Sequence, residues 1–282
     1  MNTMNTRQKK KKILYLVTQS QWGGAQKYVY DLTNGLALSL ANQDGSNKSR
    51  YIIEVGVGAK TQVEWLEVLK SRGFKIWPLK HAVREINPWH DFLSVFELYS
   101  LFCKSKPDIV HLNSSKIGSI GAVAAWVYKK LHQPHLKTIY TVHGFVFSEP
   151  LSIWRRKFYL WAERISGLFK DKIICVSEHD KIIGLNNHIA HHKKFVTIHN
   201  GIDLNNLNFL EKDKARKKLM TSHKLQVTSC CWIGTIANLY STKGLEYLIR
   251  AAKVLTSKYS NLIFIVIGEG LMRDKLEKEI KK

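Results

Sequence analysis

Acidic charge is scarce in this 282-residue chain: 22 Asp and Glu stand against 44 Lys and Arg, a formal net charge of +22. Such an imbalance favours polyanionic surroundings, whether nucleic acid, an anionic membrane face or a phosphorylated substrate, and charge alone does not choose among them. Cysteine is sparse too. The four, Cys103, Cys175, Cys230 and Cys231, have no metal-ligand spacing, and they read as small buried hydrophobes in a reducing cytosol. Long apolar runs are absent, so no segment approaches a membrane span and any membrane contact is peripheral. The basic KKKK run near the amino end is followed by only five apolar residues before Thr18, too few for a signal-peptide core. What remains, 45% hydrophobic and 23% charged residues, is a globular composition with length for a large core or two domains.

The stretch ILYLVTQSQWGGAQKYVYDLTNGLA, residues 13 to 37, joins an apolar run to an amphipathic one through Gly23-Gly24. Ile13 to Val17 has the pattern of a buried parallel strand, and Tyr28, Leu32, Leu36 and Leu40 recur at helical spacing. Glycine allows positive φ and close approach of a ligand, and the first NH groups of a helix lack intrahelical partners, so this turn is a candidate phosphate seat. The plain alternative is a turn with no ligand. A nicotinamide-type fingerprint is disfavoured: its three-glycine spacing is missing, and Glu54 lies about 30 positions on, where that pattern wants an acid at about 20.

Further along, apolar strand runs alternate with helical patterns as far as KIICVS, which implies parallel βαβ units in an open doubly wound sheet. The pattern changes at VTIHNGIDL, where Asn200-Gly201 and the charged stretch EKDKARKK follow a strand. The expected division is a basic tail over 1–12, a Rossmann-like domain over 13–201, and over 202–282 part of a second Rossmann-like domain with two evident strands, SCCWIGTIA and NLIFIVIG.

Ligand-type segments fall at strand carboxyl ends, where open α/β sheets bind their ligands: Gly23-Gly24, His143-Gly144-Phe145, Ser177-Glu178, and Lys243-Gly244 opening a helix. In this order, with PDIVHLNSSKIGSIG, CVSEHDK, IHNGID and IGTIANLYSTKGLEYLIRAAKVL, the chain from about Ile13 onward resembles family 4 of the retaining glycosyltransferases, α/β enzymes of the GT-B type with two facing Rossmann-like domains. The resemblance implies that Gly23 and Gly24 bring backbone NH groups to the diphosphate of a nucleotide sugar, and that Lys243 pairs with the same diphosphate. It implies that His143 faces the transferred sugar, with His143 and Lys243 as catalytic residues. Asn113, Ser114 and Ser115 are the acceptor-side candidates. Asn238 stands where the family usually has arginine and brings no charge to the diphosphate.

The implied activity is sugar transfer, with retention, from a nucleotide donor, UDP-sugar favoured, to a lipid-linked or polysaccharide acceptor. It uses neither cofactor nor metal, in the cytoplasm or peripherally on the inner face of the cell membrane. Family members continue past this chain's last residue with two glutamates, separated by seven intervening residues, that hold the donor. Glu269 and Glu277 share that separation but lie too early, and read as a turn residue and an exposed helix residue. The chain is therefore expected to be truncated and impaired. Two other readings stand: a non-catalytic acceptor- or membrane-binding subunit needing a second chain, and a basic nucleic-acid-binding protein, for which no recognised motif is present.

Two clusters complete the survey. His188, His191 and His192 lie in a polar stretch without acidic ligands and read as a solvated face. Trp154, Phe158, Trp161, Ile165 and Leu168 form a helical stripe expected to face the core, with a membrane-lying helix as the alternative because Arg155, Arg156, Lys157, Arg164 and Lys170 flank it.

Overall fold

A computed structural model describes residues 10–38, 51–58, 64–83, 87–204, 207–223 and 231–281. Residues 1–9 of the basic tail, the polar loop at 41–50 and Cys230 lie outside them. The chain divides into two compact units, Met1–Gly201 and Ile202–Lys282.

The first unit is built on the strands β1 (Lys11–Val17), β2 (Tyr51–Gly58), β3 (Lys75–Leu79), β4 (Ile109–Leu112), β5 (Lys137–Val142), β6 (Lys172–Cys175) and β7 (Phe195–Thr197). They form one seven-stranded sheet in the order β3-β2-β1-β4-β5-β6-β7, and every pairing is parallel. Between them run the helices α1 (Gly24–Leu38), α2 (Glu64–Ser71), α3 (Pro88–Ser105), α4 (Ser115–Leu131), α5 (Ile153–Phe169) and α6 (Glu178–Asn186). The strand order reverses after β3, so right-handed crossovers put α1 and α2 on one face and the later helices on the other. The two cores follow that division. Val29, Trp65, Leu66 and Leu69 pack on one face of β1 and β2, and Leu98, Phe102, Ile117, Ala124, Tyr140 and Ile173 build the larger core on the other. Apolar runs on both faces of the central strands are what a doubly covered parallel sheet requires.

Two sequence expectations change in this unit. Lys12 belongs to β1 and not to a tail: its NH donates to Asp108 Oδ2 at 2.7 Å and its ammonium to the Ser105 carbonyl at 2.6 Å. The same ammonium lies 3.3 Å from the buried Glu54, which also accepts from Trp77 Nε1 and Ser105 Oγ; Glu54 is thus a structural carboxylate within the sheet. The stripe on α5 does not face the core. Glu163, Ser166 and Gly167 are its buried residues, while Trp154 is 82% and Trp161 62% exposed. The reason is a polar network beneath the helix: the Lys170 ammonium lies 2.9 Å from Glu163 Oε2 and over the Tyr140 ring at 3.9 Å, and Tyr140 donates to Glu163 Oε1.

Two glycines bracket the packing at the carboxyl end of the sheet. A Cβ on Gly58 would fall 1.8 Å from the Thr18 carbonyl oxygen and 2.2 Å from that of Ala82, both backbone atoms, whereas one on Gly24 would meet nothing within 4 Å. Gly58→Ala is therefore expected to cost about 2 kcal/mol by overpacking, while Gly24→Ala, at a helix start, leaves the denaturation midpoint unchanged or slightly raised. Equal midpoints for the two variants would contradict this packing.

The second unit carries α7 (Lys212–His223), β8 (Cys231–Ile236), α8 (Leu245–Thr256), β9 (Leu262–Ile267) and α9 (Arg273–Ile280). The charged stretch read as a break in pattern is thus largely helix. Strands β8 and β9 pair in parallel, and Leu239, Leu245 and Leu276 form the small core beside them. Cys231, expected to be buried, is exposed, because β8 lies in a two-stranded sheet whose surfaces are only partly covered, as Ile236 at 83% exposure also shows.

Candidate active site

The carboxyl ends of β1, β4 and β5 converge on a cluster of uncharged polar groups. Strand alternation explains the membership: His111 on β4 and Thr141 on β5 share a sheet face, and Asn113 and His143 follow two residues later, each just past the end of its strand. Thr141 Oγ1 lies 2.7 Å from His111 Nε2 and 3.4 Å from the hydroxyl of Tyr28 on α1. The Tyr28 ring meets His143 edge-on at 5.0 Å between centroids. Thr18 and Ser114 are joined by a close hydroxyl–hydroxyl hydrogen bond that ties the end of β1 to the start of α4.

Burial sets the protonation of this cluster. Desolvation, with a smaller contribution from the neighbouring His143, lowers His111 to about 3. Desolvation also lowers His143, to about 4, against an opposing pull from Asp180. Both rings are neutral at physiological pH, so they act by hydrogen bonding and not by charge. The Tyr28 hydroxyl is raised for the same reason.

Two buried side-chain atoms in this cluster have no hydrogen-bond partner in the protein: His143 Nε2 and Asn113 Oδ1. Asn113 is 0% exposed, and its amide nitrogen already donates to the His111 carbonyl at 2.9 Å, so the orphaned end is the acceptor. Buried polar atoms are seldom left unsatisfied, and two at a strand carboxyl edge mark where a hydroxylated ligand would find partners. Ser115 opens α4, its hydroxyl 3.5 Å from that of Tyr140.

At the glycine turn, α1 begins at Gly24, and Gln26 Nε2 closes the loop onto the Gln19 carbonyl at 2.9 Å. Neither Gly23 nor Gly24 adopts positive φ; Gly144, beside His143, does, at 103°. What the turn provides is therefore openness at Gly24, in front of the first NH groups of a helix, while a Cβ on Gly23 would meet Gln26 Oε1 at 2.9 Å.

In the second unit, Asn238 and Lys243 are exposed beyond the carboxyl end of β8. Lys243 ends a short 3-10 turn and Gly244, at φ 65°, caps α8, which starts at Leu245 and not at Lys243. Arg273 holds both Glu269 and Glu277, at 2.5 and 3.2 Å, so that glutamate pair is occupied in a surface ion-pair network. Among the described residues no group of three or more His, Cys, Asp or Glu is placed to hold a metal ion; His191 and His192 pair ring to ring on an exposed turn.

Sequence reasoning missed Tyr28, His111, Thr141 and Thr18. In the sequence Tyr28 shows only helical spacing, and the available signal is the i, i+2 pairs, His111 with Asn113 and Thr141 with His143, at the ends of β4 and β5.

The sequence profile of Glycosyltransferase Family 4 matches residues 61–206, just over half of the chain. An Escherichia coli UDP-Gal:alpha-D-GlcNAc-diphosphoundecaprenol alpha-1,3-galactosyltransferase is 29% identical over 197 residues, 68% of this chain and 48% of that one. The Staphylococcus aureus capsular polysaccharide biosynthesis glycosyltransferase CapM is 29% identical over 189 residues, 66% of this chain and 47% of that one. Among solved structures, Anabaena HepE in complex with UDP and glucose superposes with a TM-score of 0.69 at 18% identity, over 96% of this chain and 66% of that one. The chain thus spans about half the length of the curated relatives it matches. Its fold is that of the GT-B glycosyltransferases, and the chain belongs to glycosyltransferase family 4.

Proposed function

We propose that this chain serves transfer of a sugar, with retention at the anomeric carbon, from a nucleotide sugar to a lipid-linked or polysaccharide acceptor at a cytoplasmic membrane face. One observation carries the reading: two orphaned buried polar atoms, His143 Nε2 and Asn113 Oδ1, at the carboxyl edge of a parallel sheet. Sugar hydroxyls both donate and accept, and so match a neutral imidazole and an amide oxygen alike. His143 faces the transferred sugar, and Asn113, Ser114 and Ser115 lie on the acceptor side. Each unit supplies its own candidate diphosphate contacts: the NH groups at Gly23-Gly24 in the first, and Asn238 and Lys243 in the second. As the bond from the anomeric carbon to the diphosphate breaks, negative charge grows on the departing nucleotide, and the Lys243 ammonium stabilises it. The E. coli relative uses UDP-Gal and a diphosphoundecaprenol acceptor, and the Anabaena structure holds UDP, which supports a UDP-sugar donor here. The reading involves no cofactor or metal, so a chelator should leave donor binding unchanged.

The test is calorimetric titration of the chain with UDP, GDP, ADP and their sugars. UDP-sugar binding is expected, weakened about tenfold by Lys243→Ala through loss of a charge-assisted contact. His143→Ala should weaken the UDP-sugar more than UDP alone. Failure of all three nucleotides and their sugars to bind at millimolar concentration would end the proposal.

A further inference from the structure

Helix α5 is inverted relative to an ordinary surface helix. Its acidic residue Glu163 is buried against Lys170, while Ile153, Trp154, Phe158, Trp161 and Leu168 project outward. Arg155, Arg156, Lys157 and Arg164 are exposed on the same helix, so its solvent side has four cations and no anion. Trp126 and Lys130 near the end of α4, with Lys129, Leu168 and Lys194, line an open cavity of about 590 Å³ at the carboxyl end of α5. Asp171 is the acidic residue in that lining, and it is already paired with Lys129 at 3.3 Å. On the other side of α4, helix α3 carries a second exposed aromatic row, Trp89, Phe92 and Phe96, with the Phe92 ring in contact with each of the other two.

We infer that this helical face lies on an anionic lipid bilayer, with the outward side chains of α5 in the interfacial layer and the lysine-lined cavity seating a phospholipid phosphate beside the Trp126 indole. Tryptophan and phenylalanine rows flanked by arginine and lysine suit the headgroup boundary, where ring and alkyl surface leaves water while the cations meet lipid phosphates. A second copy of the chain is a poor occupant, since it would set four cations against four. A nucleic-acid duplex would engage the cations but leave the aromatic rows in water. The inference rests on the reading of the chain as a transferase working at a membrane, and it names the surface that reading leaves open.

Vesicle flotation of the full chain, without nucleotide sugar, is the test. Binding is expected to phosphatidylcholine vesicles containing phosphatidylglycerol, weakly to phosphatidylcholine alone, and to fall as salt rises above 0.1 M, where charge reaches only about 10 Å. Trp154→Ala/Trp161→Ala and Arg155→Glu/Lys157→Glu should each lower partitioning about tenfold. Lys70→Glu/Arg72→Glu, the same charge change at the carboxyl end of α2 across the sheet, should stay within about twofold of the parent, and Lys130→Glu should reduce the preference for phosphatidylglycerol. All these residues are exposed and none is among the candidate site residues, and circular dichroism verifies folding in each variant.

Equal loss in the α2 and α5 charge variants would reduce the effect to net charge, and unchanged binding of the tryptophan variant would remove this face from the bilayer. A dimeric parent made monomeric by the tryptophan variant, with vesicle binding intact, would identify the face as a self-association surface. Vesicle binding without any nucleotide-sugar binding would instead defeat the functional reading and leave this inference standing.

Discussion

Acidification from pH 6.5 to pH 5 should remove on the order of 3 kcal/mol from the stability of the first unit through two buried histidines alone. His111 and His143 are held near 3 and 4 by desolvation, whereas in the unfolded chain they protonate near 6.5. Below 6.5 the unfolded state therefore binds protons that the folded state refuses. Stability is complete above about 6.5 and declines as pH falls, until the folded rings themselves protonate near 3 to 4. Each ring contributes about 1.6 kcal/mol over that interval, at 1.36 kcal/mol per unit once protonation differs fully. The groups facing them are Tyr15 and Tyr28, neutral throughout this range because burial raises both hydroxyls, and Asp180, which acts on His143. Denaturation midpoints measured across this range should show the loss, and His111→Gln or His143→Gln should each remove about half of the histidine-dependent slope. The ring protons of both should titrate below pH 5 by NMR. A parent and double variant with the same pH dependence would mean that neither ring is buried neutral.

Much of the first unit was open to inspection in the sequence because its central strands are buried on both faces. Runs such as Ile13–Val17 and Ile173–Cys175 admit few other readings, and the seven-stranded parallel sheet follows from their alternation with helical segments. Helical periodicity is less informative: it states that a helix has an apolar side, not which way that side faces. On α5 the inward side includes Tyr159 and Leu160 as well as Glu163 and Ser166. The polar members are admissible in the core only because Tyr140 and Lys170 satisfy them, and Tyr140 comes from a strand 23 residues before Glu163. No i, i+3 or i, i+4 pattern contains that information. Lys12 was misassigned for a similar reason, since its partners Asp108 and Ser105 lie more than 90 residues away. At the candidate site, His143 and the Gly23-Gly24 turn were visible as motifs. Tyr28, His111 and Thr141 become a cluster only when β4 and β5 pair.

Lys170→Met is expected to destabilise the first unit by about 3–5 kcal/mol, because it strands the Glu163 carboxylate in the core. The pair is nearly inaccessible: Lys170 and Glu163 side chains are 0% and 3% exposed and 2.9 Å apart. Burial lowers the Lys170 ammonium from its ordinary value while Glu163 pulls it back up, the expected opposition of desolvation and Coulomb attraction. Removing the cation leaves Tyr140 as the donor to Glu163, through one hydrogen bond at 3.0 Å. The double replacement Glu163→Leu/Lys170→Met takes away both charges and should recover most of the loss, since a buried pair contributes little net stability over apolar residues of similar size. Recovery should be incomplete, because Tyr140 then has only the longer contact to Ser115, at 3.5 Å. Denaturant midpoints of the three proteins measure this directly. A single variant within about 1 kcal/mol of the parent would mean that water reaches Glu163. In that case α5 would not be held with its polar side inward, and the outward placement of Trp154 and Trp161 would lose its structural cause.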